Sequence, residues 1–108
     1  MTQEMAIYCA AVKQSVVELM TAAFDMRSDP SKAPEVIALV DQILEAESLR
    51  PTALLEAEVA WADYGVSTLN RLRALAGEGD GEQVWAAFTD QVSGLYLLGN
   101  ACQGQPGW

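Results

Sequence analysis

The groups in this chain whose types and spacing bear on chemistry are Cys9 and Cys102, the carboxylate Glu58, and the acidic loop from Glu78 to Glu82. The chain holds two cysteines and no histidine. Without histidine there is no Ser–His–Asp or Cys–His nucleophilic site, no histidine-bearing zinc site and no Glu-x-x-His pair of the di-iron kind. Two cysteines cannot build a four-sulfur metal site within one chain. The Glu78, Asp80, Glu82 loop offers oxygen ligands, but it lacks the length and the distal glutamate of an EF-hand, so it serves as solvated linker and helix cap. The expectation is no metal, no cofactor and no enzymatic activity.

In a chain without a sign of secretion the two cysteines read as reduced thiols, small buried hydrophobes on inward seams. Both lie on inward seams at the same end of the expected bundle, which leaves proximity open, and spacing establishes neither closeness nor a bond. Glu58 falls inside the apolar arc of its helix, beside Gly65 and Ala62. It is expected in a first-turn structural role, or in an ion pair with Lys13, Arg27 or Arg73.

The elements that must position these groups are helical, because no segment alternates like a strand. One domain spans 1–108, with helices at about 3–26, 34–47, 52–76 and 81–103 and a tail at 104–108. Thr2 is the expected cap of the first helix. Its seam is Met5, Cys9, Val12, Val16, Leu19, Ala23 and Met26, at spacings of four and three. Pro30 and Pro34 break the chain, and Pro34 suits the first turn of the second helix. The third helix is expected to bury Leu54, Leu55, Val59, Trp61, Val66, Leu69, Leu72 and Leu75, with Gly65 admitting a neighbouring helix. Gly77 is the expected left-handed stop, and Asp80 with Gln83 a capping pair. The fourth helix carries the seam Trp85, Phe88, Val92, Leu95, Gly99 and Cys102. Three long helices and one short one give an all-α, antiparallel four-helix bundle, whose seams suit a monomer or a helix-swapped homodimer.

The stretch Gly79–Gly104 resembles the last helix of cytochrome c′. That family closes this helix with two cysteines and a histidine that attach and ligate haem. Here Cys102 is followed by Gln103, Gly104, Gln105 and Pro106. The second cysteine and the histidine are missing, so the resemblance carries a bundle-like periodicity and no haem site.

Charge narrows the partner. The total is −9, and between Glu35 and Asp63 seven carboxylates face Arg50 alone. Such a surface repels nucleic acid and anionic membrane and steers toward a basic partner. The longest wholly apolar runs are too short to span a bilayer, which favours a soluble, cytoplasmic protein without membrane contact. Three apolar side chains fall on polar faces: Ile7, Leu97 and Tyr64. With 51% hydrophobic residues, they point to a surface covered by another protein. The expectation is a non-enzymatic interaction module that docks on and modulates or inhibits a partner, with Ile7, Leu97 and Tyr64 as anchors. Glu45, Glu47, Glu56 and Asp63 would orient the encounter. The alternative is an acidic inhibitor that occupies a basic, nucleic-acid-binding groove, similar in size and charge to phage-encoded blockers of host defence.

Overall fold

A computed structural model describes residues 2–53 and 55–108, and among these the side chains of all but Thr2 and Gln3. The expected Thr2 cap and the expected buried Leu54 lie outside the described residues. Every regular element among the described residues is helical. They are α1 (Thr2–Met26), α2 (Ala33–Ala46), α3 (Glu56–Gly77), α4 (Gly81–Phe88) and α5 (Tyr96–Ala101), with 3₁₀ turns at Pro30–Lys32 and Glu47–Leu49.

The expected seam of α1 is buried except for half-buried Val16, and Tyr8, Ser15 and Ala22 are buried beside it. That face packs on α2, through Val36, Leu39, Val40 and Ile43, and on α4. The helix α3 packs on α2, α4 and α5 and buries Trp61, Thr68, Leu69, Leu72 and Ala76. By length and composition α1 is also the one described helix apolar enough to cross a membrane, over Glu4–Met26. The wholly apolar runs alone did not signal this.

Several boundaries differ from expectation. The helix α3 begins at Glu56, because Pro51 holds Arg50 extended (φ −71°, ψ 124°) and Leu55 is extended too (φ −94°, ψ 154°). The later start leaves Leu55 65% exposed, and Val59 and Val66 are also exposed. The left-handed residue after α3 is Gly79 (φ 76°), two residues beyond the helical Gly77 that was the expected stop. Asp80 does accept from the Gln83 N–H at 3.1 Å and starts α4. Gly81 is indispensable there, since a Cβ would lie 2.1 Å from the Met26 carbonyl oxygen. Gly65 makes room for the indole of Trp61 on its own helix, whose ring atoms would lie 2.6–2.8 Å from a Cβ.

The largest correction is the expected fourth helix, which is two. Asp90 accepts hydrogen bonds from the N–H groups of Val92 (2.8 Å) and Ser93 (2.9 Å), a local alternative to the helical ladder. These two bonds hold the Asp90 carboxyl below its usual range. Thr68 Oγ1 donates to the Ser93 carbonyl at 2.6 Å, and a Cβ at Gly94 would strike the carbonyl oxygens of Asp90 and Phe88 at 2.4 and 2.5 Å. The break changes which residues face the core, although Leu95 and Cys102 stay buried as expected. Val92, expected in the seam, is 71% exposed, and Leu97, expected outside, is 9% exposed in the core. Leu97 is therefore no anchor for a partner.

Cys9 and Cys102 are joined by a disulfide, with Cα atoms 5.7 Å apart, and both residues are fully buried. The expectation of free thiols fails here: both seams point at one locus, where α1 passes the end of α5. The tail folds back over that locus, and the Trp108 Nε1–H donates to the Cys9 carbonyl at 3.0 Å.

Candidate functional site

Beside the disulfide, the start of α1, the connection between α2 and α3, the start of α3 and the end of α5 with the chain after it converge on an open cleft of about 570 Å³. Its walls include Glu4, Met5, Arg50, Leu55, Glu58 and Gln105. The chain arrives there because α2 ends in a 3₁₀ turn and Pro51 prevents it from continuing as helix, which turns Arg50 and Leu55 into the opening.

Behind the cleft runs a chain of hydrogen bonds. The Trp61 Nε1–H donates to the Tyr8 hydroxyl at 2.8 Å, and the Tyr8 hydroxyl donates to Glu47 Oε2. The other Glu47 oxygen accepts from Arg50 Nε at 2.8 Å. Trp61 and Tyr8 are fully buried. Burial, and next the hydrogen bond to Glu47, push the Tyr8 hydroxyl well above its ordinary pKa, so it keeps its proton and works as a donor. The network fixes the Glu47 carboxylate, and this in turn holds the Arg50 guanidinium at the cleft wall.

Glu58 stands in the first turn of α3 and accepts from the Leu55 N–H at 3.3 Å. The structural first-turn role holds. Arg73, one of its expected partners, instead pairs with Asp41 at 2.8 Å. Apolar Met5 and Leu55, the carboxylates Glu4 and Glu58, and a positioned Arg50 thus share one opening. Such a set can seat an apolar side chain while its rim attracts a cation. Among the described residues no three His, Cys, Asp or Glu side chains cluster in a way that could hold a metal ion.

The other expected site residues scatter around this end and along α3. Glu56 is exposed at the first residue of α3, Asp63 and Tyr64 are exposed further along it, and Glu45 is exposed near the end of α2. Glu47 is no outward steering charge; its side chain is 13% exposed and engaged by Tyr8 and Arg50. Ile7 is 53% exposed, as expected, and lines a second, smaller groove with Ala6, Ala10, Gln105 and Pro106. Trp85, expected in the core, is half-buried; it meets Phe24 edge-on at 5.3 Å and stacks on Phe88 at 5.8 Å.

Tyr8 and Arg50 were not singled out from the sequence. A signal for Tyr8 did exist, because Tyr8, Ser15 and Ala22 recur every seven residues directly before Cys9, Val16 and Ala23. Arg50 as the lone cation in an acidic stretch was a weaker one. No protein-family model, curated protein or solved structure matches the chain.

Proposed function

We propose that this protein is a non-enzymatic interaction module that docks a partner protein at the cleft and along the adjoining face of α3. The observation that carries the proposal is the joint exposure of Leu55 (65%), Val59 (41%) and Val66 (41%) along one face of α3, beginning at an opening rimmed by carboxylates. Isolated exposed apolar residues are ordinary, but several on one face mark a covered surface. Its acidic rim selects a partner with a basic surround and an apolar projection. The Tyr8–Glu47 network holds Arg50 at the cleft wall, and Leu55 and Val59 are the contact residues. The acidic-mimic alternative leans on the 35–63 carboxylates, of which Asp41 and Glu47 are already engaged by Arg73 and Arg50. That leaves fewer charges to imitate phosphates.

The buried disulfide bears on where the module works. Such bonds form and persist in oxidising surroundings. We therefore propose that it acts there, in preference to the reducing cytoplasm expected from the short apolar runs.

A photoreactive residue at position 55, and in a control at exposed Glu35, tests the docking face. A partner cross-linked at 55 but not at 35, and lost when Val59→Asp is added, supports the module. Equal cross-linking at both positions refutes it. A basic nucleic-acid-binding protein released by moderate salt would favour the mimic instead.

A further inference from the structure

The helix α1 carries a second apolar seam that the fold does not use. One residue after each early position of the buried seam stand Ala6, Ala10, Lys13, Val17, Met20 and Phe24, at spacings of four and three. That is the heptad pattern of a helix facing another helix. Along it Ala10 is exposed, and Val17, Met20 and Phe24 are 51%, 47% and 48% exposed. It is a different face from that of α3 on which docking was proposed, although Gln105 borders both openings, and Val17, Met20 and Phe24 belong to this face alone.

The seam is uneven in a telling way. Its first half is small, and the returning tail walls it into a groove of about 310 Å³ lined by Ala6, Ile7, Ala10, Gln105 and Pro106. Its second half is large: Val17, Met20 and Phe24 form a ridge, with Phe24 braced by Trp85 and by the Arg27 guanidinium 4.0 Å from its ring centre. Groove and ridge sit on the same helix, roughly 21 Å apart from Ala10 to Phe24 at 1.5 Å per residue.

We infer that this face is a homodimer interface, in which two copies of α1 cross antiparallel about a two-fold axis near Ser15. In that register Phe24 of the second copy meets Ala6, its Met20 meets Ala10, and its Val17 meets Lys13. Each ridge fills the other copy's groove, as an isologous interface requires. A parallel pairing would set ridge on ridge and leave both grooves empty. Charge permits the match. In a chain of net −9 the seam holds no carboxylate. Its near flank holds the uncharged Gln14 and Thr21, and Ile7 lies farther round the helix in line with Asp25 and next to Glu18. Lys13 lies along Gly107 of its own tail, where a Cβ would be 2.3 Å from Nζ. Ile7 borders the contact through the groove that it lines.

One helix pair with its flanking tails is a small interface, so we expect a dissociation constant of about 10–100 µM. Sedimentation equilibrium from about 5 µM to 1 mM should show a monomer–dimer transition in that range. Met20→Glu should weaken it at least 30-fold while circular dichroism and melting stay near wild type, since Met20 is half-exposed. Orientation is read by single cysteines: Gln14→Cys, beside the axis, should oxidise to a covalent dimer, and Thr21→Cys, far from its own copy, should not. A monomer at 1 mM overturns the inference, as does a Met20→Glu dimer of undiminished strength. Thr21→Cys linking as readily as Gln14→Cys overturns the antiparallel register. A monomer that binds neutral phosphatidylcholine vesicles through Met20 would assign the seam to lipid instead.

Discussion

Removing the Cys9–Cys102 bond is the perturbation with the largest effect that the structure allows one to work out. The bond joins residues 93 apart in sequence. Nearly the whole chain is therefore a closed loop in the unfolded state. On the chain-entropy account a loop of that length lowers unfolded-state entropy by the equivalent of about 4.7 kcal/mol at 25 °C. A domain of this size has a net stability on the order of 5–15 kcal/mol, so the bond is a large part of it. At about 2.1 cal/mol/K per residue of unfolding entropy, a loss of 3–4 kcal/mol lowers Tm by roughly 13–18 °C. Cys9→Ala/Cys102→Ala is preferable to serine, because both positions are fully buried and a hydroxyl there would need a partner. Differential scanning calorimetry of the double variant, with intact mass to count thiols in the wild type, is the assay. Full burial also predicts that a phosphine reductant acts on the folded protein slowly and on the urea-unfolded protein fast. Two free thiols in the native wild type would refute the bond, and a double variant melting within about 3 °C of wild type would refute its energetic role.

Four further perturbations test other contacts of the fold. Tyr8→Phe removes the hydroxyl that both accepts from Trp61 and donates to Glu47; urea denaturation should show a loss of about 1–3 kcal/mol, and an unchanged midpoint would show the network to be idle. Tyr8 also gives stability a high-pH limit. Its folded pKa lies above the unfolded value of 10.0, so its contribution is complete below about pH 10 and is lost as pH rises beyond it. A 295 nm titration should show Tyr8 ionising only with unfolding, and a tyrosine titrating normally in the folded state would contradict this. Gly81→Ala should be among the most damaging single substitutions, because the Met26 carbonyl 2.1 Å from the new Cβ is backbone and cannot swing aside; we expect a loss of about 2–4 kcal/mol by thermal melting, and a wild-type Tm would place the α1–α4 junction elsewhere. Asp90→Ala should extend helix across 89–95 and re-expose Leu97, read as faster amide exchange at Leu97 and Leu98; unchanged exchange would show that Gly94 and Thr68 hold the break alone.

The fates of Leu97 and Leu55 show how far periodicity reached. Both expectations assumed one uninterrupted helix at 100° per residue, and both failed where the chain interrupts itself. At 89–95 the cause is an aspartate that captures two backbone N–H groups, helped by a hydroxyl from Thr68, 25 residues away in sequence. At 51–55 it is a proline acting on the residue before it, followed by a cap supplied from Glu58. Ile7 and Tyr64, which lie in unbroken helix, came out exposed as their phase requires. The cleft was not legible at all, because its walls come from four separate parts of the chain.

The amino-acid sequence by itself determined the all-helical class, the buried seam of α1, the cap at Asp80 and the absence of imidazole chemistry. These depend on residue type and on repeats within one helix turn or two, which are local properties of a polypeptide. Only the tertiary structure decided that Cys9 and Cys102 are bonded, that Glu47 faces Tyr8 and Arg50 and not solvent, and that the tail turns one end of α1 into a groove. Those outcomes depend on which distant segments meet and at what angle, and a spacing of 93 residues holds no information about a distance of 5.7 Å.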